Sequence, residues 1–304
     1  MVAVGLFASF VAIRGIPSYS AEKIDLHVQP TEARVLQGQK LASMLCRNCH
    51  LDPNTNRFTG RRLAEAPQFG AIYSRNITSD KAHGIGGWTD GELAYLLRTG
   101  VKPDGTYLPP YMPKLVHLSD EDLLSIIAFL RSGHPWLQAD ATVQPDSKPS
   151  FLTKFLTNIK AMKPFAYPKE AIGAPDTTNR VAWGRYIALG QLECFSCHSL
   201  DFAKNDYLNP EKSPGFFGGG NEMYTPEGKK IVSLNITMDP ETGIGNWTED
   251  DFIKAVKYGQ VPNGGGALRE PMQPYTQLTD SEVSALWAYL KSVPAQKHAV
   301  PRSE

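Results

Sequence analysis

The sequence is short of cysteine, has no surplus charge of either sign and holds no long apolar run. Its 31 basic side chains balance 31 acidic ones, which leaves neither the basic footprint of a nucleic-acid binder nor a charged tail. The uncharged apolar run from Val2 to Ile13, twelve residues, falls short of the about 20 that span a bilayer. It suits the core of an export signal, followed as it is by Arg14 and Pro17. Disorder is excluded as well, because 41% hydrophobic and 10% aromatic residues in 304 can bury the cores of two ordinary domains.

Only four cysteines are present, and all four fall in two identical frames, Cys46-Arg47-Asn48-Cys49-His50 and Cys194-Phe195-Ser196-Cys197-His198. Cys-x-x-Cys-His is the attachment signature of haem c. Thiols at i and i+3 each take one vinyl group as a thioether, and the next histidine lies under the iron. A zinc site would arrange Cys-x-x-Cys pairs differently, and a thioredoxin-like pair needs no histidine directly after it in both copies. Two covalently bound haem c groups use every thiol, so no disulfide is left to form.

A second repeat is independent of the cysteines. Arg75-Asn76-Ile77-Thr78-Ser79-Asp80 followed by Gly84-Ile85-Gly86-Gly87-Trp88-Thr89 returns as Leu234-Asn235-Ile236-Thr237-Met238-Asp239 followed by Gly243-Ile244-Gly245-Asn246-Trp247-Thr248. Upstream, Arg34-Val35, Gly38 and Ala42 return as Arg180-Val181, Gly184 and Ala188, so the chain is two copies of one module. The second copy carries extra residues between frame and repeat, in the Gly/Pro/Asn-rich stretch 199–230, which reads as a longer loop. Thr89-x-x-Glu92, Ser119-x-x-Asp122, Thr248-x-x-Asp251 and Thr279-x-x-Glu282 each place a hydroxyl at N-cap with an acid three residues on. Helical apolar stripes follow in the last helix of each copy, Leu123, Ile126, Ile127 and Leu130 in one, Val283, Leu286, Trp287 and Leu290 in the other. The fold class is therefore all-α.

The motif histidines His50 and His198 are the first axial ligands of such haems, and a methionine is a common second. Two of the seven methionines sit at matching places. Met112, in Pro109-Pro110-Tyr111-Met112-Pro113, precedes the last helix of the first copy; Met272, in Glu270-Pro271-Met272-Gln273-Pro274, precedes that of the second. Flanking prolines stiffen such a loop. Met44, Met162, Met223 and Met238 have no such pairing and read as packing residues. His27, His83, His117, His134 and His298 have no counterpart in the other copy and read as surface or satisfied histidines, with His117 the nearest rival to Met112.

The order Cys-x-x-Cys-His, Asn-Ile-Thr, Gly-Ile-Gly, Trp-Thr, Met-Pro resembles the cytochrome c modules in cytochrome subunits of membrane-bound alcohol and gluconate dehydrogenases. It is still more similar to two-haem cytochromes c that begin with a membrane anchor. The resemblance covers roughly residues 30–131 and 176–292. It implies two tandem class I cytochrome c domains in a pseudo-twofold repeat, with Gly38 and Gly184 letting the first helix cross the last near Phe129 and Tyr289. It also implies that Trp88 and Trp247 lie near a haem, in reach of its propionates. The expected organisation is 1–21 signal or membrane anchor, 22–131 first domain, 132–175 a proline-rich strap with a short helix near Phe151–Ile159, and 176–304 second domain. The expected function is a dihaem electron carrier, not an enzyme, on the periplasmic side of a bacterial inner membrane. It would be held there by its N-terminal segment, retained as an anchor, or released into the periplasm if that segment is cleaved. A dehydrogenase or respiratory complex would donate electrons and a cytochrome or oxidase accept them. The rival readings are a dihaem peroxidase, which needs one iron with an open position, and a thiosulfate-oxidising dihaem cytochrome.

Overall fold

The computed structural model describes residues 2–262 and 264–301. The chain divides into two compact units, the first running to Val116 and resuming over Asp120–Ile172, the second formed by His117–Ser119 and the chain from Gly173 onward.

In the first unit, α2 (Glu32–Leu45) runs directly into the one-turn helix α3 (Arg47–His50), followed by a long loop, α4 (Asp90–Thr99) and α5 (Asp120–Leu130). The second unit repeats the order. There α7 (Arg180–Tyr186) continues as a wide π turn over Ile187–Gln191, then come α8 (Cys194–His198), α9 (Glu249–Tyr258) and α10 (Asp280–Ser292). Capping boxes form as the sequence pattern requires at Thr89/Glu92, Thr248/Asp251 and Thr279/Glu282. The Ser119 main-chain N–H donates to the Tyr186 hydroxyl at 3.0 Å, and Asp122 accepts from Gln37 at 2.9 Å.

Within each unit the first long helix packs on the last, α2 on α5 and α7 on α10. Both apolar stripes are buried in these contacts, as expected. The closeness of the crossing explains the glycines. A Cβ on Gly38 would lie 1.8 Å from the Ser125 carbonyl oxygen and 2.8 Å from the Phe129 Cβ, and one on Gly184 would lie 1.9 Å from the Ala285 carbonyl oxygen. Main chain meets main chain at both points, so no larger residue fits.

Strand is scarce. Gly70–Ala71 (β1) pairs antiparallel with Lys148–Pro149 (β2), and Glu222–Tyr224 (β3) with Lys230–Val232 (β4). The first pairing ties the proline-rich stretch to the first unit, and the helix expected there is α6, Phe151–Asn158. Helix α1 (Val2–Arg14) packs beside α6, with Phe7 edge-on to Phe155 at 6.2 Å and Arg14 donating to Asn158 at 3.2 Å. At 13 residues α1 is about 20 Å long, and among the described residues no helix is long and apolar enough to cross a membrane. Among the described residues the expected anchor is therefore not supported by a spanning helix.

Gly38→Ala and Gly184→Ala should each cost about 1–3 kcal/mol, the range for overpacked contacts. Chemical denaturation of the purified variants checks this, and unchanged midpoints would mean the crossings yield easily.

Candidate functional site

Each cysteine frame folds as a single helical turn, and the reason is its position at the end of a longer helix. Cys46 donates its N–H to the Ala42 carbonyl at 2.9 Å and accepts from His50 N–H at 2.9 Å, so the frame winds straight on from α2. In the second unit Glu193 takes a left-handed conformation, φ 49°, and α8 starts afresh at Cys194. Both outcomes put the two thiols and the imidazole on one turn.

The histidine rings are then fixed from a distance. His50 Nδ1 lies 2.8 Å from the Arg75 carbonyl oxygen, and His198 Nδ1 lies 2.8 Å from that of Leu234. A carbonyl can only accept, so Nδ1 carries the proton and Nε2 presents its lone pair, the tautomer an iron ligand needs. Burial lowers the pKa of both rings, which keeps them neutral. The main chain is matched as well, since Gly60 N–H donates to the His50 carbonyl at 2.9 Å and Gly219 N–H to that of His198 at 2.8 Å.

The thiols are half-buried in the first frame, and desolvation pushes Cys46 up to about 12 and Cys49 to about 11, with Arg61 opposing and Glu65 reinforcing the shift at Cys49. Cys194 rises to about 12 for the same main reason, and Cys197 is raised too. Protonated thiols are poor metal ligands. Among the described residues no cluster of three or more His, Cys, Asp or Glu side chains could hold a metal ion.

The Asn-Ile-Thr repeat supports the histidine. Asn76 Oδ1 accepts from Thr78 N–H at 2.9 Å while its amide donates to the carbonyls of Asp140 at 2.7 Å and Thr142 at 3.0 Å. Asn235 does the same with Thr237 N–H at 2.9 Å and the Gln296 carbonyl at 2.7 Å. Each asparagine thus ties the strip that holds the ring to the segment following the last helix. The glycines after it fold back, Gly84 and Gly86 on the Asp80 carbonyl, Gly243 and Gly245 on that of Asp239. Trp88 and Trp247 follow these turns, both half-buried.

Met112 and Met272 occupy matching turns, each donating its N–H to the carbonyl three residues back, Pro109 at 3.1 Å and Arg269 at 3.0 Å, and both are half-buried. The remaining histidines are engaged elsewhere. His117 Nε2 is 2.7 Å from the Tyr207 carbonyl, His298 Nδ1 is 2.9 Å from that of Gly218, His83 pairs with Asp80, and His134 packs tilted against Phe129 and edge-on to Trp136.

Two supports escaped the sequence reading. Buried Lys114 donates to the carbonyls of Pro109 at 2.8 Å and Met112 at 2.7 Å, pinning the first methionine turn. Arg98, fully buried, bridges the Leu115 carbonyl and Asp120 at the start of α5; Lys257 meets Asp280 at the start of α10. The second pair had a signal, because each cation stands nine residues after a capping threonine. Lys114 had none, since Pro274 takes its place in the second copy.

Paired thiols beside an imidazole of fixed tautomer are the arrangement that covalent attachment of haem c requires. No family model matches the chain, but curated relatives do. It is 31% identical over 257 residues to the cytochrome c subunit of alcohol dehydrogenase (quinone) from Gluconacetobacter polyoxogenes, covering 82% of this chain and 53% of that one. It is 30% identical to the fructose dehydrogenase cytochrome subunit of Gluconobacter japonicus, covering 90% and 57%. A diheme cytochrome c-type protein of Cereibacter sphaeroides is 29% identical, with 82% of both chains covered. The chain spans about half the length of the dehydrogenase subunits it matches. It is related to the cytochrome c subunits of dehydrogenases, as the motif order implied. Those relatives are cytochrome subunits and a diheme cytochrome, in agreement with the expectation of an electron carrier.

Asn76→Ala leaves two carbonyls without their donor and should cost about 1–3 kcal/mol. Asn54→Ala, at an exposed position, should stay within about 0.5 kcal/mol. Urea midpoints of the two variants check the difference.

Proposed function

We propose that the chain holds two haem c groups, one per frame, and relays electrons from a dehydrogenase or quinol-oxidising complex to a terminal acceptor on the periplasmic side of a bacterial inner membrane. The observation that carries this reading is the duplication of the whole site, thiol pair, neutral imidazole, carbonyl clamp and methionine turn, in both units. The donor set fits the group: Cys46 and Cys49, and Cys194 and Cys197, supply the thioethers, and His50 and His198 supply lone pairs at Nε2. Haem supplies an iron that changes by one electron. His50 and Met112 in one unit, and His198 and Met272 in the other, would hold the two irons and leave no position open to a small substrate. Arg75 and Leu234 carbonyls hold each ring in one orientation, and Lys114 holds the Met112 turn. Trp88 and Trp247 stand close enough in sequence to these strips to serve the propionates. The dehydrogenase names of the relatives support a complex of that kind as donor.

Denatured protein should retain haem with a mass excess of two groups; one group or none would refute the reading of a frame. Oxidised protein should show the weak near-infrared band of His/Met haem, and Met112→Ala and Met272→Ala should each remove about half of it. Rapid peroxide turnover with one high-spin centre would replace the relay by the peroxidase.

A further inference from the structure

Charge balances over the whole chain but not along it. Residues 1–21 hold Arg14 and no acid, and residues 147–169 hold five lysines, Lys148, Lys154, Lys160, Lys163 and Lys169, and again no acid. These two segments form α1 and α6, which pack on each other in the first unit. None of the five lysines meets a carboxylate among the described residues.

The same helices turn apolar side chains outward. In α6 the usual arrangement is reversed: Thr153 and Thr157 are buried, the Thr153 hydroxyl donating to the Phe69 carbonyl at 3.3 Å, while Phe151, Leu152 and Ile159 stand about half exposed. A helix on a water-facing surface buries its apolar side instead. Helix α1 is apolar throughout and covered on one side only, with Val11 fully buried, Val4 73% exposed and Ile13 87% exposed. Four rings join the two helices into one surface. Phe10 stacks on Phe7 at 6.4 Å, Phe7 meets Phe155 edge-on at 6.2 Å, and Phe155 stacks on Phe151 at 6.4 Å. The exposed apolar residues are therefore a connected patch, the kind that marks an interaction site, and not scattered single residues. Helix α1 lies against the unit and does not project from it, because Asn158 accepts from Arg14 at 3.2 Å and donates to the Gly15 carbonyl at 2.8 Å, two turns beyond the contact at Phe7.

An apolar patch bordered by cations, with no acid in either segment, complements one kind of surface. At the boundary between head groups and acyl chains of an anionic bilayer, rings and aliphatic side chains are covered while lysine stems reach the phosphates. An acidic protein surface would meet the lysines and leave the rings uncovered. We propose that α1 and α6 together form an in-plane docking surface for an anionic phospholipid bilayer, with Phe10, Phe151 and Leu152 entering the interface and Lys154, Lys160 and Lys163 facing the phosphates. This deepens the reading of a membrane-side location. It uses no residue of either cysteine frame, so loss of vesicle binding with both haems present counts against this inference alone.

The test is co-sedimentation of the full haem-loaded chain with vesicles of phosphatidylcholine alone and of phosphatidylcholine mixed with phosphatidylglycerol. The chain should bind the mixed vesicles, bind the neutral ones far less, and be released by added salt. Lys160→Gln and Lys163→Gln should each weaken binding to mixed vesicles by about fivefold. Leu152→Ser with Ile159→Ser, at exposed positions, should weaken binding to mixed vesicles with haem content and far-ultraviolet circular dichroism unchanged. Equal binding to both vesicles, no binding to either, or binding indifferent to the α6 substitutions would overturn the inference. Retention through salt and alkaline washing would do so too, since it marks a spanning segment. A lipid-free dimer that the double serine variant dissociates would assign the patch to a second copy of the chain instead.

Discussion

Both units depend on one hydrogen bond, from a motif histidine ring to a main-chain carbonyl 25 residues on in the first unit and 36 in the second. It does two things at once. It selects the imidazole tautomer, and it fastens the cysteine turn to the strip that begins the Asn-Ile-Thr repeat. The asparagine amide then anchors that strip to the segment after the last helix, so the ring's orientation is referred to the helix pair that forms the core. A loosened asparagine or a widened helix crossing would reach the ring through the same chain of contacts.

Much of this was legible in the sequence, where copies could be compared. The cysteine frames, the capping threonines and the crossing glycines each recur, and each recurring residue answers to a local geometric need that only a few side chains meet. Gly38 and Gly184 were readable because nothing larger fits against a facing carbonyl. What stayed illegible was unpaired or acted over long range. Lys114 replaces a proline and works by reaching back to two carbonyls, which no spacing announces. The partnership of β1 with β2 joins residues about eighty positions apart through main-chain groups that any sequence would supply. The apolar run at the N-terminus was visible as an export-signal core, but its packing as a helix beside α6 depends on side chains of a distant segment.

The difference in side chain between matched positions, against the symmetry of their hydrogen bonding, separates two demands on one residue. At residues 75 and 234 the clamp needs only a carbonyl, which every amino acid has, so the side chain is left open to set other properties. An arginine in one copy and a leucine in the other keep the ring equally well. Duplication of a module can thus preserve its geometry while letting the side chains of the copies diverge.

The π turn at Ile187–Gln191 shows how the copies also tolerate a change of length. From the crossing glycine to the first cysteine the second unit has two more residues than the first. Two residues added to a regular α-helix would swing everything beyond them by about 200°, at about 100° each. The wide turn, together with the left-handed residue before Cys194, takes up that excess between two points that must stay where they are. The helix behaves there as a length buffer, and the gap between core and cofactor frame is one place in this architecture where residues can be gained without being felt at either end.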